Sequence, residues 1–123
     1  MLPLARQRGV GTLAMKAFGA GKLLGDTEGY NQPLKTRPRG KLSSGGRADG
    51  EPRLPHLSVE ECLGYTLTCD ADVTLLGLSY PNEQDAAFAA VRAFRRLDAA
   101  AMEGVRTRAA AALRDKGNVW WNP

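Results

Sequence analysis

Few residues in this chain of 123 carry side chains that could do chemistry, and their spacing limits what that chemistry is. Cys62 and Cys69 stand seven apart with no further Cys or His beside them, so they supply neither a disulfide framework nor a four-ligand zinc set. Both read as small hydrophobes. His56, the one histidine, sits next to Pro55 in a Gly- and Pro-rich stretch, where a solvated side chain is the ordinary reading and a general acid the rarer one. The run Gly19-Ala20-Gly21-Lys22-Leu23-Leu24 invites a phosphate. It lacks the third glycine of the dinucleotide fingerprint, and Gly21-Lys22 lacks the upstream Gly and following Ser/Thr of a P-loop. Small residues there still allow backbone N–H groups to approach an anion, and Asn82 could open a helix whose positive end faces one. From the residues alone the plainer reading, a tight turn and a helix cap, is the favoured one.

Length and charge bound the elements that position these groups. One domain at most fits in 123 residues, and a closed (β/α)8 barrel needs roughly 200 or more. Seventeen Lys and Arg oppose thirteen Asp and Glu, with the segment 57–94 acidic and both ends basic. Arg95, Arg96, Arg106, Arg108 and Arg114 read as solvent-side charges of terminal helices rather than a nucleic-acid face, because the aromatics fall on apolar stripes or at the terminus. No run approaches the ~18 apolar residues of a membrane span, and the first eight residues lack a signal peptide's apolar stretch. A cytoplasmic protein without a membrane partner is the expectation.

Three segments follow. Residues 1–24 read as a helix tail closed by Gly9, a strand over 10–16 apolar on both faces, and a glycine turn. Residues 25–56 hold six Gly and four Pro, too many for a packed core, and read as a long flexible loop cleaved first by proteases. Residues 57–123 begin with Ser58-x-x-Glu61, a capping box opening a helix over 59–67. A second buried strand, 73–78, comes next, then a helix capped by Asn82 and another capped by Asp98 that runs to Gly117. Strand–loop–helix–strand order implies parallel pairing through a crossover. Trp120 and Trp121, near the end of the sequence, read as an interface or a cover for the barrel's flank in a complete relative.

The order of these strings resembles the aldo/keto reductase family. Arg8-Gly9-Val10-Gly11-Thr12-Leu13-Ala14-Met15-Lys16-Ala17-Phe18-Gly19-Ala20-Gly21-Lys22-Leu23 is similar to that family's seventh strand and following turn. Leu57 to Leu67 is similar to the helix after it, and Asp72 to Glu83 to its eighth strand and cofactor turn. The likeness is collinear and leaves out only about residues 25–56. It implies an α/β fold, a partial TIM (β/α)8 barrel of two parallel strands with three to four helices and a long loop.

It further implies the C-terminal part of an NADPH-dependent carbonyl reductase, with Lys16, Ala17, Phe18, Gly19, Leu78, Ser79, Tyr80 and Asn82 at the cofactor. No metal ligand or catalytic residue is implied, because the family's Asp, Tyr, Lys and His tetrad lies on earlier strands; His56 and Lys16 do not match it. Where relatives hold a cation for the 2′-phosphate, this chain has Asn82, Glu83, Gln84 and Asp85, and Ala87 stands where many have Asn. The implied partner is the N-terminal barrel portion, and the implied substrate of the complete enzyme is a small carbonyl compound. The chain by itself is expected to be inactive and, with open strand edges, prone to associate. A non-catalytic assembly or regulatory module and a weakly basic nucleic-acid binder remain as alternatives.

Overall fold

The computed structural model describes residues 1–24, 55–78 and 81–114. The loop expected over 25–56, for all but its last two residues, and the Trp120-Trp121 tail lie outside them. Helix α1 (Leu2–Gln7) is short, and its end is written in the sequence. Gly9 takes φ 65°, and the N–H groups of Val10 and Gly9 donate to the carbonyls of Ala5 and Arg6 at 2.9 and 3.1 Å. That is a Schellman closure, which needs a left-handed residue just past the helix.

Strand β1 (Leu13–Met15) pairs in parallel with β2 (Val73–Leu75), Leu13 opposite Val73 and Met15 opposite Leu75. Between them lie a 3-10 segment (Gly19–Leu24) and helix α2 (Val59–Thr68). The Ser58 hydroxyl accepts from the Glu61 N–H at 3.1 Å while the Glu61 carboxylate accepts from the Ser58 N–H at 2.9 Å, so the capping box forms as expected. The Leu57 N–H donates to the Leu23 carbonyl at 2.8 Å and fixes the start of α2 against the 3-10 segment.

Helix α3 (Pro81–Arg92) begins two residues earlier than a cap at Asn82 implies, which places Asn82 in its first turn rather than ahead of it. Proline suits a first helical position, since its missing N–H has no partner there and its φ is already helical. Helix α4 (Ala99–Leu113) is capped by Asp98, whose carboxylate accepts from the Ala101 N–H at 2.8 Å. The loop before it is tied to the end of α2, the Leu97 N–H donating to the Thr68 hydroxyl at 3.0 Å.

The core lies among α2, α3, α4 and the 3-10 segment: Phe18, Leu24, Leu57, Cys62, Leu63, Ala87, Ala90, Val105 and Ala112. Leu57 and Leu63 are its fully buried large side chains. The strands depart from expectation. Each is three residues long, and Leu13, Met15, Val73 and Leu75 are 51, 61, 49 and 48% exposed. A parallel strand is buried on both faces only when layers cover both. Among the described residues no further strand or layer covers the face those four side chains share. On α3 the apolar stripe is also narrower than its periodicity: Ala87 and Ala90 are buried, while Val91 is exposed.

Candidate functional site

The two ends of this small sheet are built differently. At the N-terminal ends, Thr12 and Asp72 clasp each other: the Thr12 N–H and hydroxyl both donate to the Asp72 carboxylate at 2.6 Å. The Asp72 N–H donates to the Thr12 hydroxyl, and the Val73 N–H to the Thr12 carbonyl, each at 3.1 Å. Those bonds, with a smaller contribution from nearby Arg6, hold the Asp72 carboxyl below its ordinary range. Beside them Arg6 donates to the Asp70 carboxylate at 2.7 Å and to the Asp70 carbonyl at 3.1 Å, fastening α1 to the turn before β2. Asp70 itself sits at φ 65°, in the left-handed region that Asp enters more readily than most residues.

At the C-terminal ends, an open pocket of about 430 Å3 is lined by Met15 to Phe18, Ala20, Gly21 and Leu75 to Gly77. Lys16 is the cation in this lining. The backbone around it turns sharply. Lys16 takes φ 64°, its carbonyl accepts from the Gly19 N–H at 2.8 Å, and Gly19, Ala20 and Gly21 follow with φ 55°, 56° and 89°. The Phe18 carbonyl then accepts from the N–H groups of Gly21 and Leu23 at 3.0 and 3.3 Å. Non-glycine residues in this region carry roughly 1–2 kcal/mol of strain each, so Lys16 and Ala20 are held there by the surrounding fold. The N–H groups of Gly19, Gly21 and Leu23 are thus taken up by the turn's own carbonyls, and the small residues Gly19 to Gly21 leave its backbone open to close approach.

The expected residues are distributed accordingly. Lys16, Ala17 and Phe18 line the pocket, and Gly19 closes the turn within it. Leu78 is half-buried and packs against the core instead. Ser79 and Tyr80 lie outside the described residues. Asn82 is placed by its backbone alone, at the start of α3. Sequence reasoning missed Met15, Ala20, Gly21 and Leu75 to Gly77 as site residues. The Gly77 and Gly21 glycines were the available signal, but nothing in an alanine announces the left-handed backbone of Ala20.

The remaining chemical side chains stay away from this pocket. His56 is half-buried and immediately precedes the core residue Leu57. Cys62 is buried in the core, and burial, reinforced by the Glu61 carboxylate, pushes its thiol up to about 12. Arg106 donates to the Tyr65 hydroxyl and the Glu103 carboxylate, both at 3.1 Å, and Arg108 pairs with Glu61 at 2.6 Å. Among the described residues no group of three His, Cys, Asp or Glu could hold a metal ion, and no helix is long and apolar enough to cross a membrane. No family model, no curated protein and no solved structure matches the chain.

Proposed function

We propose that the chain is the C-terminal βα portion of an aldo/keto reductase-type barrel and supplies part of the phosphate cradle for NADPH. One observation carries the reading. Two parallel strands, adjacent and in register, end at one pocket whose rim is a left-handed turn with a lysine. In (β/α)8 enzymes the C-terminal ends of the strands form the active face, and phosphates are gripped by the turns after the last two strands. The order of strings shared with that family supports the same assignment. At about 430 Å3 the pocket lies near the lower end of the ~300–1,000 Å3 that small ligands occupy, so it takes the diphosphate-bearing part of a dinucleotide and not the whole.

Each group then has a defined task. The small residues of the turn from Lys16 to Gly21 let its backbone approach the diphosphate closely, and the Lys16 ammonium adds charge attraction. The family resemblance assigns Ser79 and Asn82 to the same cofactor. The exposed face of Leu13, Met15, Val73 and Leu75 is where the N-terminal portion of the barrel packs, since an apolar sheet face of this kind calls for a covering layer. Bound NADPH supplies a hydride. Hydride transfer to a carbonyl also needs a proton donor for the developing alkoxide; among the described residues of the pocket lining there is no Tyr or His, and the reading assigns that donor to the N-terminal portion.

The test is a titration of NADPH fluorescence with the full chain, alongside absorbance with a panel of aldehydes. Weak saturable binding that Gly19→Val and Ser79→Ala both reduce, without aldehyde-dependent oxidation, is the expected result. Sustained turnover scaling with the protein would contradict it, as would binding indifferent to both substitutions.

A further inference from the structure

The arginines fall into two groups that sequence alone does not separate. On α4, Arg106 and Arg108 are neutralised by the Glu103 and Glu61 carboxylates at 3.1 and 2.6 Å. Around the turn before β2 the balance is reversed. Arg6 from α1 and Arg96 from the segment between α3 and α4 converge on one oxygen of Asp70, at 2.7 and 3.8 Å. The second distance is too long for a hydrogen bond, so the Arg96 guanidinium is attracted to Asp70 with its donors still available. Among the described residues neither Arg92 nor Arg95 meets a carboxylate: Arg92 Nε donates to the Phe88 carbonyl at 3.3 Å and Arg95 Nη1 to the Phe94 carbonyl at 2.8 Å.

An aromatic ring lies in the same run. Phe88 is 59% exposed on α3, one turn before Arg92 and off the buried positions Ala87 and Ala90. Reading the aromatics as members of apolar stripes or of the terminus therefore fails at this residue. From Phe88 to Arg92 is about 6 Å of helix, and the four residues on to Arg96 reach at most ~14 Å. Phe88, Arg92, Arg95 and Arg96 thus fit in a stripe no longer than about 20 Å, with Arg6 joined to its end through Asp70. Arg8, two residues beyond Arg6, is also exposed. The carboxylates nearby are Asp70, Asp72, which accepts from Thr12, and Asp98, which accepts from the Ala101 N–H. The guanidiniums outnumber them. On α3 the stripe stops at Phe88, because Asp85, one turn earlier and exposed, repels phosphate.

We propose that this stripe binds single-stranded nucleic acid, with phosphates running across Arg96, Arg95 and Arg92 toward α3 and one base stacked on Phe88. Guanidiniums grip phosphate oxygens in pairs, and a bare ring beside them offers a base a stacking partner. A duplex keeps its base faces covered and could use only the charges. A lipid surface calls for a broad apolar face, which Phe88 and its exposed neighbour Val91 do not make. The arginines gather at the N-terminal ends of the strands, opposite the pocket, so the inference stands apart from the dinucleotide reading.

Fluorescence anisotropy of a labelled oligothymidylate titrated with the full chain tests it. Saturable binding is expected at low salt, weakening as salt rises with a double-logarithmic slope of about −2 to −3, the value for three or four phosphates on a single strand. Arg95→Gln and Arg96→Gln are each expected to flatten that slope by about 0.7. Phe88→Ala is expected to lower affinity about tenfold with the slope unchanged, while a duplex of equal length binds more weakly and ignores that substitution. Arg106→Gln removes the same charge from α4 and is expected to leave binding as it was. All four side chains are exposed, so far-UV circular dichroism of the variants should match that of the wild type. Absence of binding at low salt would overturn the proposal. So would a loss in Arg106→Gln equal to that in Arg95→Gln, which would mean attraction to net charge alone, an unaffected Phe88→Ala, or a preference for phosphatidylserine vesicles over the oligonucleotide.

Discussion

The N-terminal and C-terminal ends of the two-stranded sheet use the same backbone for opposite purposes. Below, Thr12 and Asp72 are joined by three hydrogen bonds and Val73 adds a fourth to the Thr12 carbonyl, with Arg6 and Asp70 alongside. Nothing there is strained except Asp70, and the set locks the register of β1 against β2. Above, Lys16 and Ala20 are held in the left-handed region around an open pocket. Strain retained where polar backbone faces solvent is a feature of sites, and a saturated hydrogen-bond clasp is a feature of scaffolding. The two ends are held separately: the clasp fixes β1 against β2, while the turn above closes on its own hydrogen bonds to the Lys16 and Phe18 carbonyls.

That division predicts which substitutions harm folding, which harm binding, and which separate the two. The largest effect is expected from Gly19→Val. At φ 55° a β-branched residue is strained, and its Cβ would sit 3.2 Å from the Leu23 Cγ. A loss of about 1–3 kcal/mol in chemical denaturation is expected together with loss of NADPH binding. Ala20→Gly tests the same turn in the other direction. Relieving roughly 1–2 kcal/mol of left-handed strain outweighs the ~0.5–1 kcal/mol entropic cost of glycine, so stability should rise slightly. A fall would mean that the turn at Ala20 is not strained.

At the lower end, Asp72→Asn is expected to reduce the thermal midpoint and leave NADPH binding untouched. The sign with pH follows from the depressed carboxyl: its contribution is complete above the ordinary value of 3.8 and disappears as pH falls through the lower folded value. Wild type and Asp72→Asn should therefore converge in acid and differ near neutrality. Equal midpoints at neutral pH would remove the clasp from the account. The smallest effect concerns the thiols. With Cys62 pushed up to about 12 in the core, labelling of the native chain near neutral pH should reach the half-buried Cys69 first. The preference of Cys62 for its neutral form stabilises the fold below about 9.0 and is lost as pH rises toward 12.

Much of the helical architecture was legible before any coordinates. Ser58 and Glu61, Asp98, and Gly9 are local signals whose hydrogen bonds involve neighbours within a few residues, so their partners are visible in the sequence. The strands were placed but their burial was misjudged, because an apolar run records the need for cover without showing whether cover exists. Leu13 and Val73 look identical in a sequence whether buried or bare. Of the site, the turn after β1 was readable from its glycines, and its floor at Leu75 and Leu76 was not, since those residues join it only through the register of β2 with β1. The Thr12–Asp72 clasp was equally hidden: its members stand 60 positions apart and are ordinary surface residues by type.

The central claim, that the C-terminal ends of β1 and β2 form one anion-binding turn for a dinucleotide, is tested most directly by following backbone amide resonances of the full chain during a titration with NADPH. Shifts concentrated at Lys16 to Gly21 and Leu75 to Leu78, with Thr12 and Asp72 unmoved, are the result expected. Saturating NADPH that leaves the first set unchanged, or shifts centred on the lower end of the sheet, would contradict the account.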